Sequence, residues 1–343
     1  MHAHAVVFTG PNRVEFQEIT CPDPEPTDVV VAVHHSWISN GTEGSFLRGE
    51  RLSGDEAWRP GDPAPFPMVA GYQKVGRVMA MGADARRFRE GDWVFASMSR
   101  VHGMFDNRFA GHVSPGVCAV DDVIALPSGL DPVAASGLVL TQVGYNCGMR
   151  PVCSEGDLAI VLGDGLVGQW AGQTLARRGA RVVLVGRHAD RLARFAPFGE
   201  TVRVNAADPF GLAGVRRLTT APVAVLVETV GQVRGLETYR PEMVRGGQVV
   251  IAGFYQPSGD VNLQTSLQAY RNHELSFHLV SGATRPRLEA TLRWLAEGKL
   301  DSLSLLSHRF PVERAAEAWS LIESKREPVL GVVLDWPAAR GAR

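Results

Sequence analysis

Between residues 158 and 179 the uncharged run Leu158-Ala159-Ile160-Val161-Leu162 passes directly into Gly163-Asp164-Gly165-Leu166-Val167-Gly168. It continues into LVGQWAGQTLARR, whose apolar residues recur at helical spacing until Gly179. A short, unbroken apolar run ending at glycine is the pattern of a strand covered on both faces, and such strands belong to parallel sheets. The glycine spacing then assigns three separate jobs. The first glycine permits the sharp turn out of the strand, the second lets a bound group approach the backbone, and the third lets the helix start close to the strand. The amino end of that helix presents unpaired N–H groups and a partial positive charge, which suit a pyrophosphate. The turn therefore predicts a dinucleotide site built from Gly163, Asp164, Gly165, Leu166, Val167 and Gly168, set in a βαβ fold.

The residues around it continue the alternation. A helix PVAASGLVLTQVGYN precedes the turn. After it come a strand RVVLVG, a helix around ADRLARFA, a strand VRVN, a helix near PFGLAGVRRL, a strand VAVLVE, a helix near GLETYRPEMV stopped by the Gly246-Gly247 pair, and a strand QVVIAGF. Five strands separated by helices are most of a doubly wound parallel sheet of the Rossmann type. The first 130 or so residues have another texture: AVVF, DVVVAV, GRVMAMG and DWVFAS are short β-branched runs closed by turn residues, which predicts a β-rich domain. Past residue 275 the helices RLEATLRWLAEG and ERAAEAWSLIES and the strand VLGVVLDW read as a return to that first domain. The expected division is 1–135, 136–275 and 276–343, an α/β chain whose 343 residues exceed one ordinary core.

Charge excludes several partners. With 35 basic and 36 acidic side chains the net charge is −1, so no overall field gathers nucleic acid or an anionic membrane. Arg86, Arg87 and Arg89 read as a solvated loop before Gly91. There is no apolar run of the ~20 residues a membrane span needs, and no leader-like start, so the expected location is the cytoplasm. Cys21, Cys118, Cys147 and Cys153 lack CxxC spacing, which predicts neither a disulfide framework nor a four-cysteine zinc site.

Cofactor choice is read at the end of the second strand. Sites for NADH place an acidic residue there, about 20 residues past the glycines, to accept hydrogen bonds from the ribose. This chain has Gly186 and Arg187, with His188 and Arg191 following, and a guanidinium holds a 2′-phosphate by paired, charge-assisted bonds. NADPH/NADP+ is expected ahead of NADH; the other reading makes Arg187 a solvated loop residue and the cofactor site unselective. At the carboxyl ends of the fourth and fifth strands, the backbone of Glu228, Thr229 and Val230 and then of Gly253, Phe254 and Tyr255 is expected to flank the nicotinamide. Glu228 is equally suited to fixing its own loop.

Five segments, Ile38-Ser39-Asn40-Gly41-Thr42-Glu43, Gly71-Tyr72-Gln73-Lys74-Val75-Gly76, Gly91-Asp92-Trp93-Val94, GDGLVG and the final GVVLDW, follow one another in an order that resembles the medium-chain dehydrogenase/reductase superfamily over nearly the whole chain. The resemblance implies a GroES-like catalytic domain, a Rossmann domain, an active site in the cleft between them, and a homodimer formed along an edge strand near LSFHLV. Zinc members of that superfamily hold their metal with a Cys and a His where this chain has Ser39 and Tyr72. Gln73 replaces the Glu that follows the His, and the third ligand position falls near Val139 to Thr141 without a Cys or Asp. Hydroxyls and a phenol are poor Zn²⁺ ligands, and SMSRVHGMFDNRFAGH lacks the cysteines of a structural zinc lobe, so no metal is expected.

Without a Lewis acid, negative charge developing on substrate oxygen must be met by hydrogen-bond donors. Tyr72 is the first candidate; Ser39, Asn40 and Thr42 are candidates for orienting substrate or ribose, and Glu43 for an acid or base. The competing readings make Tyr72 a core phenol and Glu43 the cap of a helix starting near Gly44. His102 and His112, in the loop that replaces the zinc lobe, are minor candidates, and Tyr145 is expected to pack in a helix under the cofactor. The early motif looks most like a zinc-lacking branch that includes bacteriochlorophyllide a dehydrogenase, although the insertion RGERLSGDEAWRPGDPA is placed to reshape a substrate pocket. Three activities stay open: exchange of a hydride at the nicotinamide C4 between a secondary alcohol and a ketone, reduction of an activated C=C bond, and NADPH binding without catalysis.

Overall fold

The strand predicted at Leu158–Leu162 is buried at every residue, as a strand inside a parallel sheet must be when helices cover both its faces. A computed structural model describes residues 1–195, 199–206, 221–255 and 263–337. The chain divides into two units.

The second unit runs from Leu140 to Arg287 and takes in Glu297–Leu305. Among its described residues six parallel strands lie in the order Thr201–Asn205, Arg181–Gly186, Leu158–Leu162, Val223–Glu228, Met243–Ile251, Ser276–Leu279. Ile160 sits opposite Val183 on one side and Leu226 on the other. The chain builds outward first one way and then the other from Leu158–Leu162, so the sheet reverses direction at that strand's carboxyl end, where the glycine turn begins. Ala159, Val161, Val182 and Leu184 meet Leu175 on one face of the sheet, while Ile160, Val183, Val185 and Leu236 cluster on the other. Helix Leu166–Arg177 follows the turn and ends before Gly179, which adopts φ +91°.

Several expectations change here. The sheet has a sixth strand, inside the LSFHLV segment, so the second unit continues to Arg287 and the return starts at Leu288 rather than near 276. The Gly246-Gly247 pair does not stop a helix. That helix ends at Tyr239, a 3₁₀ turn Arg240–Glu242 follows, and the glycines sit within strand Met243–Ile251. There the register slips against Val223 and Val225 and Gly246 takes φ +77°, a bulge that glycine accommodates. The single helix expected over PVAASGLVLTQVGYN is two, Pro132–Ala135 and Leu138–Met149, broken beside Gly137, whose missing Cβ would stand 3.0 Å from the Trp37 ring. The helix expected near PFGLAGVRRL lies outside the described residues.

The first unit comprises Met1–Val139, Leu288–Ala296 and the chain from Leu306 on. It is built on two sheets. In one, His2–Gly10 pairs with Arg13–Thr20, Met68–Val69 and Val113–Ser114. The other runs Val123–Ala125, Trp93–Ala96, Lys74–Met81, Asp28–Trp37, Gly331–Asp335, Leu306–Pro311, with Gly116–Ala119 also on Asp28–Trp37. The return is therefore real: Leu334 pairs with Ser36 across nearly the whole length of the sequence. Helix Ala315–Ser324 presents Trp319 edge-on to Phe8, with ring centroids 5.4 Å apart. The insertion after helix Asn40–Leu47 is a small hairpin, Arg51–Ser53 with Glu56–Ala57, whose buried Arg51 donates to Ser45 Oγ at 2.6 Å and so ties it back to that helix. No helix among the described residues is long and apolar enough to cross a membrane.

Candidate functional site

Each glycine of the turn is required for a different reason. Gly163 adopts φ +116°, and a Cβ on it would fall 2.3 Å from Thr229 Oγ1. A Cβ on Gly168 would fall 2.0 Å from the Gly163 carbonyl oxygen, so only glycine lets the helix begin this close to the strand. Gly165 faces nothing within 4 Å. The strand ends are tied together beneath: Gly163 N–H donates to Val185 O at 2.8 Å, and Thr229 Oγ1 donates to Leu162 O at 2.8 Å. Helix Leu166–Arg177 has as its N-cap Gly165, which has no side chain to cap it, so among the described residues its first-turn N–H groups are left for a bound group beside the open space at Gly165. The residues present fit a pyrophosphate.

Asp164, inside the turn, is 5% exposed and turns its carboxylate toward the end of the second strand. Its Oδ2 accepts from Arg187 N–H at 2.7 Å and His188 N–H at 2.8 Å, His188 Nδ1 lies 3.0 Å away, and Arg191 Nη1 is 3.7 Å from Oδ1. A Cβ on Gly186 would sit 2.3 Å from Asp164 Oδ2. The Arg187 guanidinium is exposed and has no side-chain partner among the described residues.

Glu228 takes the loop-fixing one of its two readings. Its carboxylate, 1% exposed, accepts from Val230 N–H at 2.7 Å, Gly231 N–H at 2.9 Å and Tyr255 Oη at 2.6 Å. Both oxygens are engaged in fixing the loop, so neither Glu228 nor the Tyr255 hydroxyl is free to hold a cofactor. Burial, and then the bond to Glu228, push the Tyr255 phenol well above its ordinary range. Gly253 packs under that loop, where a Cβ would fall 2.1 Å from Gly231 N. Val230 is 45% exposed at the loop tip and remains a candidate to touch a flat ring.

In the first unit, helix Asn40–Leu47 begins earlier than the expected start near Gly44, with Ser39 as N-cap. Glu43, already inside the helix, reaches back so that Oε1 accepts from Ser39 N–H at 2.7 Å. Its Oε2 lies 2.9 Å from His112 Nε2; His112 Nδ1 lies 2.8 Å from Ser36 Oγ, to which Trp336 Nε1 donates at 2.8 Å. Glu43, His112 and Ser36 are all buried. Glu43 is therefore not a free acid or base: its oxygens tie the helix start to the Gly71 segment, where a Cβ on Gly71 would fall 2.6 Å from the His112 ring.

Tyr72 is half-buried, with its ring 5.9 Å from that of Phe109. Burial pushes its phenol far above the ordinary range and the Glu43 charge adds to this, while hydrogen bonds with Ser39 and Thr42 and the charge of Arg51 work against it. The result is a phenol that stays protonated and can donate. Tyr72, Ser39, Thr42 and Glu43 are thus brought together; Asn40 departs from them, its Nδ2 donating to Leu330 O at 2.7 Å. His102 is exposed, and Tyr145 is buried in helix Leu138–Met149.

The profile of the zinc-binding dehydrogenase family matches residues 167–297. A 2-desacetyl-2-hydroxyethyl bacteriochlorophyllide A dehydrogenase of Cereibacter sphaeroides is 27% identical, covering 98% of this chain and 99% of its own. These similarities support a member of the medium-chain dehydrogenase/reductase superfamily. Solved structures place its two units in the GroES-like and Rossmann architecture of that superfamily. An alcohol dehydrogenase of Escherichia coli CFT073 complexed with NADH superposes with TM-score 0.80 at 19% identity, over 97% of this chain and 99% of that one. A protein of Sinorhizobium meliloti 1021 bound to NADP superposes with TM-score 0.77 at 19% identity, over 98% and 99%. The stretch that the profile matches does not include Ser39 or Tyr72. Among the described residues no group of three or more His, Cys, Asp or Glu is placed to hold a metal.

Two features escaped sequence reasoning. The acidic residue within GDGLVG was visible, but not that its carboxylate turns toward the second strand. His112 was visible too, yet its partner Glu43 is 69 residues away, beyond any local pattern.

Proposed function

We propose that this medium-chain dehydrogenase/reductase uses a nicotinamide dinucleotide to interconvert a secondary alcohol and a ketone without catalytic zinc, with NADP(H) ahead of NAD(H). The strongest support is the glycine turn at the reversal point of the sheet, with a helix amino end left uncapped beside open space. When bound, the cofactor supplies or accepts a hydride at its nicotinamide ring. Gly163, Gly165, Gly168 and the first-turn N–H groups hold the pyrophosphate; Arg187, exposed and without a side-chain partner among the described residues, takes the 2′-phosphate with help from Arg191 and His188.

In this reading Tyr72 donates a hydrogen bond, and in the reductive direction a proton, to the substrate oxygen, while Ser39 and Thr42 orient the phenol. Neutral oxygens at both ligand positions support the metal-free reading, since Zn²⁺ prefers thiolate and imidazole. The Cereibacter relative, named for a hydroxyethyl-bearing substrate, supports alcohol chemistry. A protonated phenol also serves an enolate, which keeps C=C reduction as a second reading. Incubation of the purified protein with reduced cofactor and matched saturated ketones and enones decides between them: consumption of the ketone carbonyl is expected. Reduction of only the enone double bond would transfer the assignment to the second reading, and turnover that vanishes with chelator and returns with zinc would remove the metal-free one.

A further inference from the structure

The second strand ends in Gly186, so the side chain that would meet the adenosine ribose from that strand is missing. Its place is nevertheless filled. A Cβ built on Gly186 would lie 2.3 Å from Asp164 Oδ2, 2.4 Å from Asp164 Cβ and 2.6 Å from Asp164 Cγ. The carboxylate therefore occupies the volume a short acidic side chain at 186 would begin to fill, supplied from the glycine turn instead.

It is also fixed there. Oδ2 accepts from the backbone N–H groups of Arg187 and His188 at 2.7 and 2.8 Å, with His188 Nδ1 and Arg191 close by. Beneath it Gln169, fully buried, donates to Asp164 O at 3.4 Å and to Arg191 O at 2.7 Å, locking the turn and the segment after the second strand to one helix. A 2′-phosphate approaching Arg187 thus meets a buried carboxylate already bound to the Arg187 and His188 backbone.

We propose that dinucleotide selectivity is set by two opposed charges on different elements: Arg187 favours NADP(H), and Asp164 acts as the displaced ribose carboxylate that favours NAD(H) and keeps the preference narrow. This rests on the cofactor reading above. Unlike Glu228, whose two oxygens both take backbone N–H groups, Asp164 takes them on Oδ2 alone, so a 2′-hydroxyl can donate to Oδ1, whereas a 2′-phosphate gains Arg187 but faces a like charge. Removing either charge moves selectivity in opposite directions.

Asp164→Asn tests this cleanly, because one amide carbonyl can still accept from both backbone N–H groups while the charge is gone. With the wild type, kcat/KM for NADPH should exceed that for NADH by less than about tenfold. In Asp164→Asn the ratio should rise by about tenfold or more, and in Arg187→Ala it should fall by as much, toward NADH. A purely structural cap on residues 187–188 would leave the Asn ratio within twofold of wild type, and that result, or a wild type already exclusive for one cofactor, overturns the proposal. If the Asn variant folds poorly, Asp164→Ser, which keeps a short acceptor, gives the same ratio measurement. Calorimetric titration of the wild type with NADP⁺ and NAD⁺ separates the two levels. Binding of both with an unmoved ratio sinks only the opposed-charge proposal; binding of neither sinks the cofactor reading as well.

Discussion

Replacing Gly168 with alanine is expected to abolish tight dinucleotide binding, weakening it by about a hundredfold or more, which is about 2.7 kcal/mol. The added methyl would stand 2.0 Å from the Gly163 carbonyl oxygen and 3.3 Å from Thr229 Oγ1. The nearer of these is backbone, so no flexible side chain can yield. The helix start must move off the turn, carrying its N–H groups away from the pyrophosphate, and the overpacking costs a further ~1–3 kcal/mol of stability. Gly165→Ala is the informative contrast, because its φ of −74° suits alanine and its Cβ meets nothing within 4 Å. That variant should melt like the wild type and still bind dinucleotide more weakly, since the methyl enters the space the ligand needs. Titration calorimetry with a parallel thermal melt reads both; wild-type affinity in Gly168→Ala would show that the turn is only structural.

Tyr72→Phe is expected to lower kcat by about 10² to 10⁴, the range for loss of a positioned proton donor, with dinucleotide affinity unchanged. The aromatic ring that packs near Phe109 is retained, so folding should be unaffected. Because the phenol is held far above its ordinary range, chiefly by burial, it stays protonated through the neutral and mildly alkaline range. Loss of activity up to about pH 10 should therefore not come from ionisation of Tyr72. Turnover within twofold of wild type would remove Tyr72 from the chemistry and leave it as a packing residue.

The Rossmann unit was legible because its signals are local. An apolar run with no polar residue can only be a covered strand or a buried helix, and Gly163 after five such residues decides between them. The Gly246-Gly247 pair was misread because a helix stop and a strand bulge use glycine for the same freedom of φ, and the register slip that distinguishes them exists only once Val223–Glu228 is alongside. The boundary near 275 failed for a related reason: Ser276–Leu279 reads as a strand, but nothing in four residues says which sheet it joins. In the site, Tyr72, Ser39 and Thr42 were found by motif order and do converge. Glu43 was given too much freedom, because sequence shows a carboxylate but not that His112 and the Ser39 N–H occupy both its oxygens. Glu228 shows the same limit, its carboxylate being consumed by the loop it follows. Polar side chains advertise chemistry in sequence; whether they are available for it is decided by partners far along the chain.

The central claim is that the turn at Gly163 to Gly168 grips a nicotinamide dinucleotide. Isothermal titration of the intact protein with NADP⁺ and NAD⁺ addresses it directly. One site per chain is expected, with micromolar affinity that drops by about a hundredfold or more in Gly168→Ala. Absence of heat with both nucleotides at millimolar concentration, from protein that melts cooperatively, would contradict it.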